Sequence, residues 1–141
     1  MEQQSNQFPE HVLRRLNRFF NGDIVFVAGI SEIKRGIKPL DKINDIDAVI
    51  TNISPLKRNN IQFYFKENTY FKGIIYVLDF MGYKLDLFYN DVLPKYDTID
   101  KIKYQTVEDS LEYYKKTLEL YPEDTKIQIK LKIKRLEEHI S

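Results

Sequence analysis

The stretch that most constrains the fold runs from Val25 to Val49 and ends in two aspartates separated by one residue. Asp45 and Asp47 flank Ile46 in the run Asp-Ile-Asp-Ala-Val-Ile, where polar and apolar residues alternate at first. Successive side chains of a β-strand point to opposite faces, so both carboxylates lie on one face and Ile46 lies on the other. The sequence therefore predicts a sheet in which one face packs on a core and the other face carries paired negative charges.

Paired carboxylates indicate a cation site. Two such groups side by side repel each other at neutral pH unless a cation lies between them. Their hard oxygen atoms suit Mg²⁺ or Mn²⁺. A second predicted strand, Tyr83 to Tyr89, supplies a third carboxylate, because Asp86 shares a face with Lys84 and Phe88 while two leucines point the other way.

The strand that carries Asp86 is predicted to belong to a hairpin. Residues 74–80 and 83–89 are rich in apolar, β-branched and aromatic residues, and Met81-Gly82 separates them. This pattern is typical of two antiparallel strands joined by a two-residue turn. Asp79, on the first of these strands, is the alternative third carboxylate. Because it precedes the turn, we favour Asp86.

An apolar segment upstream of the aspartates ends at a glycine. Residues Ile24 to Ala28 predict a buried strand that breaks at Gly29. Glycine has no Cβ, so a ligand can approach the backbone N–H groups there, an arrangement suited to phosphate. The segment between Ser31 and Asn44 predicts a short helix and a loop, since Pro39 interrupts any longer helix.

In this order along the chain, the motifs resemble the nucleotidyltransferase superfamily that includes DNA polymerase β. The family's pattern is a Gly-Gly or Gly-Ser turn, an Asp-x-Asp pair and a later lone Asp. The matching residues here are Ala28-Gly29-Ile30-Ser31, Gly36, Asp45-Ile46-Asp47 and Leu85-Asp86-Leu87. Ala28 stands where the family has its first glycine, and Ser31 lies two residues past the usual serine. The similarity covers about half of the chain, from Val25 to Tyr89.

The resemblance implies an Mg²⁺-dependent or Mn²⁺-dependent enzyme that transfers a nucleoside monophosphate from a nucleoside triphosphate to an acceptor hydroxyl. Asp45, Asp47 and Asp86 would hold two metal ions and act in catalysis. Gly29 would hold the triphosphate, together with or in place of Ser31. The acceptor stays open among tRNA or another RNA end, a small molecule and a protein side chain.

Two basic residues lie between the predicted phosphate turn and the aspartate strand. Lys34 and Arg35 are candidates for neutralising the triphosphate, and ordinary surface charge is an equally open interpretation. Two alternatives to the enzyme also remain. One is a nucleotide-binding or regulatory partner protein with little or no turnover, which Ala28 in place of glycine favours. The other is a structural α/β domain with surface aspartates.

The fold that we predict is a single nucleotidyltransferase-like α/β domain over residues 1–141, with a mixed β-sheet and flanking helices. Its core occupies about residues 10–90, and two C-terminal helices occupy about residues 106–140. An amphipathic helix begins near Pro9 and ends at Asn21-Gly22. Residues 61–65 are left unassigned, and residues 91–105 are expected to form a connecting loop.

The C-terminal part carries a helix-start signal and an ambiguous segment. Thr106 opens a run, Thr-Val-Glu-Asp, that resembles a capping box. In the last segment a strand-like spacing competes with a helical one, and composition favours a helix.

Composition excludes some classes of site. The formal net charge is +1, so no overall field draws the chain to nucleic acid or membrane. The absence of cysteine excludes disulfides and thiolate zinc sites. With no apolar run long enough to span a bilayer, we expect a cytoplasmic protein without a membrane partner, and the oligomeric state stays open.

Overall fold

The computed structural model describes residues 7–41, 43–67 and 73–140. Within these residues the chain is a mixed α/β structure with a seven-stranded sheet and five α-helices. The α-helices are α1 (Glu10–Phe19), α2 (Ala28–Lys34), α3 (Ser54–Arg58), α4 (Val107–Thr117) and α5 (Glu123–Ile140), with a 3-10 helix (Leu118–Leu120) between the last two. The strands are β1 (Ile24–Val27), β2 (Asp45–Ile50), β3 (Tyr64–Lys66), β4 (Ile75–Phe80), β5 (Tyr83–Tyr89), β6 (Tyr96–Ile99) and β7 (Ile102–Gln105).

The sheet is mixed, as predicted. Its strand order is β3-β4-β5-β2-β1-β7-β6. The aspartate strand β2 lies at the centre, antiparallel to β1 on one side and parallel to β5 on the other. The remaining parallel pair joins β1 to β7.

One face of the central strands is fully buried, and we call it the core face. Ile46, Ala48 and Ile50 of β2 have no exposed surface, which confirms the predicted alternation. The leucines of β5 at positions 85 and 87 are equally buried. They pack in one cluster with the apolar side of α1, formed by Val12, Leu13 and Leu16. This packing holds the aspartates in place, because a slip of one residue in β2 would exchange its two faces.

The opposite face of the same strands, which we call the site face, carries polar residues. Asp45, Asp47 and Val49 of β2 lie there, as do Lys84, Asp86 and Phe88 of β5. Residues of α4 and α5 line a cavity over this face. These two helices share a second buried apolar cluster, which includes Leu111, Ile129 and Leu136.

Several local predictions are confirmed. The hairpin of β4 and β5 turns at Met81 and Gly82, whose φ angles are 52° and 88°, as a tight hairpin turn requires. Helix α1 ends before Asn21 and Gly22. The hydroxyl of Thr106 accepts a hydrogen bond of 3.1 Å from the backbone N–H of Asp109 and so caps α4. The final segment is the helix α5.

The prediction of a loop over residues 91–105 is wrong. This segment contains β6 and β7, an antiparallel hairpin, and β7 lies beside β1 in the sheet. The turn is made by Asp100 and Lys101, both at positive φ (52° and 70°). Neither is the glycine or asparagine that usually reveals such a turn. Three of the four residues of β6 are exposed, and the alternation of Ile102 and Tyr104 in β7 spans only four residues.

Two further boundaries differ from the prediction. Strand β1 ends at Val27, and Ala28 already begins α2. Part of the unassigned segment 61–65 belongs to the edge strand β3. In the part of the chain that is described, none of the helices has the length and apolar character needed to cross a membrane.

Candidate carboxylate site

The parallel register of β2 and β5 brings two aspartates together. Asp47 lies directly opposite Asp86, and Asp45 lies opposite Lys84. On its other side Asp47 is paired with Val27, the last residue of β1. The two carboxylates thus lie side by side on the site face, each flanked along its strand by residues of the buried core face.

Asp86 has a carboxylate oxygen that lacks a hydrogen-bond donor. Its side chain is 16% exposed, and the Lys84 ammonium lies 4.0 Å from Oδ1. Among the described residues, no donor is within hydrogen-bond reach of this buried oxygen. A buried acceptor without a donor is costly, so this atom is suited to receive a proton or a cation.

Asp47 is the residue whose ionisation the site perturbs. Burial, together with the negative charges of Asp86 and Asp45, raises the pKa of Asp47 to about 7. The positive charges of Lys132 and Lys84 act in the opposite direction. Near neutral pH, Asp47 is therefore partly protonated unless a cation takes the proton's place.

A cavity of about 600 Å³ lies over the two carboxylates. The sheet contributes Asp47 and Asp86 to its lining, and α4 and α5 contribute Tyr114, Ile129 and Lys132. The volume is in the range of small-molecule sites in proteins, and a mostly apolar wall with a few convergent polar groups is their usual composition.

Ala28 lines the same cavity and has a strained backbone. Its φ is +58°, in the left-handed region that disfavours a residue with a Cβ. The strain is on the order of 1 kcal/mol, and such residues gather at functional sites. The conformation that favours glycine is thus found at Ala28 rather than at Gly29.

The two predicted phosphate-binding residues of this turn do not line the cavity. Ser31 is buried, and its hydroxyl donates a hydrogen bond of 3.4 Å to the Gln105 carbonyl oxygen. Gly29 lies in the first turn of α2, where an added Cβ would lie 3.6 Å from the Lys38 ammonium. Their assignment to phosphate stays a prediction.

The two predicted phosphate-binding cations are engaged elsewhere. The Lys34 ammonium lies 2.8 Å from Asp100 and 3.2 Å from Glu10. Arg35 lies 3.1 Å from Asp97 and donates hydrogen bonds to the carbonyl oxygens of residues 104 and 105. Neither side chain lines the cavity. Both join α2 to the hairpin of β6 and β7.

Asp45, the remaining residue of the predicted metal site, is less closely associated with the pair of Asp47 and Asp86. Asp45 is exposed and does not line the cavity, although its charge acts on Asp47. Asp79, the alternative to Asp86, is exposed and lies opposite Lys84, beside a different pocket. Over residues 7–41, 43–67 and 73–140, no three Asp, Glu or His side chains are grouped so that they could hold a metal ion.

Sequence reasoning missed Lys132. Its ammonium lies 5.5 Å from the centre of the Tyr114 ring, and both residues line the cavity. Tyr114 is buried in the apolar cluster that α4 and α5 share. No local signal distinguishes Lys132 from the other lysines of α5, because its place depends on how α5 packs.

No family model, curated protein or solved structure matches this chain. The site's geometry and the resemblance of its motifs are therefore the grounds for a functional assignment.

Proposed function

We propose that this protein is a nucleotidyltransferase, which transfers a nucleoside monophosphate from a nucleoside triphosphate to an acceptor hydroxyl. The observation that carries the proposal is the register of β2 and β5. Asp47 and Asp86 lie opposite each other beneath a cavity of about 600 Å³, which is large enough for a nucleotide.

The chemistry of the carboxylate pair fits a divalent cation. Oxygen donors suit Mg²⁺ or Mn²⁺, and two carboxylates paired across β2 and β5, with the pKa of Asp47 raised by burial, indicate a charge that a cation would balance. Asp47 and Asp86 would hold the ion, and Asp45, which does not line the cavity, would add negative charge nearby. When bound, such ions polarise phosphate oxygens and lower the pKa of an acceptor hydroxyl.

The protein's own residues would position the substrates and move the proton. Asp86 Oδ1 is the atom to which we assign the acceptor hydroxyl's proton, because it is buried and has no donor among the described residues. The helices α4 and α5 would exclude water from the carboxylates. The acceptor hydroxyl would belong to an RNA end, a small molecule or a protein.

A nucleotide-binding regulatory protein without turnover is the second candidate. It is favoured by the contacts of the predicted phosphate ligands, since Ser31, Lys34 and Arg35 all have partners away from the cavity. Ala28 in place of a glycine favours it as well. Such a protein would bind Mg²⁺ and a triphosphate at the same carboxylates but would release no pyrophosphate.

The two candidates are separated by measuring pyrophosphate release from each of the four nucleoside triphosphates with Mg²⁺. Transfer of a label from the α-phosphate to fractions of RNA, protein and small molecules would identify the acceptor. We expect Asp47→Asn to abolish transfer while the protein stays folded, and Asp79→Asn, on the same sheet face but away from the cavity, to retain it. Magnesium-dependent triphosphate binding without transfer in any fraction would select the regulatory protein. Full activity of a folded Asp47→Asn protein would contradict both carboxylate-based functions.

A further inference from the structure

A triphosphate over two carboxylates needs positive charge from the protein as well as from metal ions. Its several negative charges would otherwise face Asp47 and Asp86 in a partly enclosed cavity, where water screens charge poorly. The cations next to the glycine turn, Lys34 and Arg35, already have carboxylate partners on the hairpin of β6 and β7. Moving either one into the cavity would break an ion pair that joins α2 to the sheet.

Lys132 can supply this positive charge from α5, on the side of the cavity opposite Asp47 and Asp86. It projects from α5 into the cavity lining that also contains Asp47 and Asp86. Its ammonium lies over the Tyr114 ring, at 5.5 Å from the ring centre, a contact that positions a cation without neutralising it. Among the described residues, no carboxylate lies within ion-pair distance of this ammonium.

The Lys132 side chain and the carboxylates of Asp47 and Asp86 line one cavity from opposite sides. A phosphate chain in the cavity would have metal-binding carboxylates on the sheet side and an ammonium on the helix side. Tyr114 is buried and held by the α4–α5 cluster, which fixes the platform on which the ammonium rests.

We propose that Lys132, resting on Tyr114, is the residue that binds the phosphate groups of the nucleoside triphosphate in this cavity. The proposal rests on the proposed function and deepens it. It assigns the anion-binding role to a residue of α5 instead of the basic residues that follow the glycine turn.

The test compares triphosphate binding with nucleoside binding. Dissociation constants are measured in Mg²⁺ for ATP, GTP, CTP and UTP and for the four matching nucleosides. The variants are Lys132→Met, Lys132→Arg and Lys130→Met, the last being an exposed lysine of the same helix that makes the same change of charge. Thermal unfolding of each variant shows whether it is folded.

We expect Lys132→Met to weaken binding of the preferred triphosphate about 10- to 100-fold and to leave nucleoside binding unchanged, because a hydrogen bond to a charged group is lost. Lys132→Arg should restore most of the preference for triphosphate, and Lys130→Met should behave as the wild type. In a folded protein, equal triphosphate affinity of Lys132→Met and wild type would overturn this assignment and leave the proposed function standing. Failure of the wild type to bind any triphosphate with Mg²⁺ would overturn both.

Discussion

The two faces of strands β2 and β5 differ in what they bury and in how much strain they carry. On the core face, Ile46, Ala48, Ile50 and two leucines are fully buried against α1. On the site face, the same strands present two carboxylates to a cavity, and a residue at positive φ lies at its edge. One face provides the stability, and the other holds groups that are unfavourable without a ligand.

This contrast predicts that substitutions on the site face affect activity far more than stability. After Asp47→Asn, the largest effect should come from Asp86→Asn, which removes the proposed proton acceptor and keeps the side chain's shape. Turnover should fall about 100- to 10,000-fold, with a much smaller change in triphosphate affinity. Steady-state kinetics and equilibrium binding would measure the two effects separately. If Asp79→Asn has this effect and Asp86→Asn does not, the proton acceptor lies on β4 and its assignment to Asp86 of β5 is wrong.

The free energy of unfolding should depend on pH, because Asp47 is buried beside other carboxylates on the site face. The pKa of Asp47 is about 7 in the folded protein, against an ordinary value of 3.8. Between these values the folded state binds more protons than the unfolded state, so the free energy of unfolding falls as the pH rises from about 4 to 7. The change is at most about 4 kcal/mol, and Mg²⁺ with triphosphate should offset it.

Denaturant unfolding in EDTA at several pH values would measure this slope. Burial and the charges of Asp86 and Asp45 disfavour the ionised form of Asp47, while Lys132 and Lys84 favour it. Because Asp47→Asn removes this titrating group, it should flatten the slope. At pH 7 in EDTA the variant should be as stable as the wild type or more stable. A variant that is clearly less stable at pH 7, with an unchanged slope, would identify Asp47 as a structural residue.

Neighbouring residues of β2 offer a direct comparison of the two faces. Ile50 points into the core and is fully buried, whereas Val49 lines the cavity. Ile50→Ala should reduce the free energy of unfolding by about 3 kcal/mol, because it leaves a void in a packed cluster. Val49→Ala should cost less than half as much, since it enlarges a space that is already open. Equal costs for the two would mean that α4 and α5 pack on the sheet as tightly as α1 does.

The smallest effect concerns the backbone at Ala28. Glycine removes the Cβ that makes a φ of +58° unfavourable, so Ala28→Gly should stabilise the protein by up to about 1 kcal/mol. Ala28→Val should destabilise the protein, because the β-branched valine side chain tolerates this φ less well than alanine does. Thermal unfolding of both variants would test this. A loss of stability with glycine would show that the positive φ carries no strain.

Local patterns predicted those elements that local chemistry controls. The alternation in β2 and β5, the turn at Met81 and Gly82 and the cap at Thr106 were all correctly placed. The hairpin of β6 and β7 was missed because its turn uses Asp100 and Lys101. Its strands are short, and β7 is part of the sheet because it pairs with β1, a contact between distant parts of the chain.

The amino-acid sequence by itself determined that the aspartates of β2 share one face, because side-chain direction in a strand alternates with every residue. Tertiary structure alone decided that Asp47 lies opposite Asp86, since the register of β2 and β5 depends on packing of their apolar faces onto one core. It also decided which cations face the cavity. Lys34 and Arg35 are close to the aspartates in sequence but pair with the β6–β7 hairpin, while Lys132 reaches the cavity through the packing of α5.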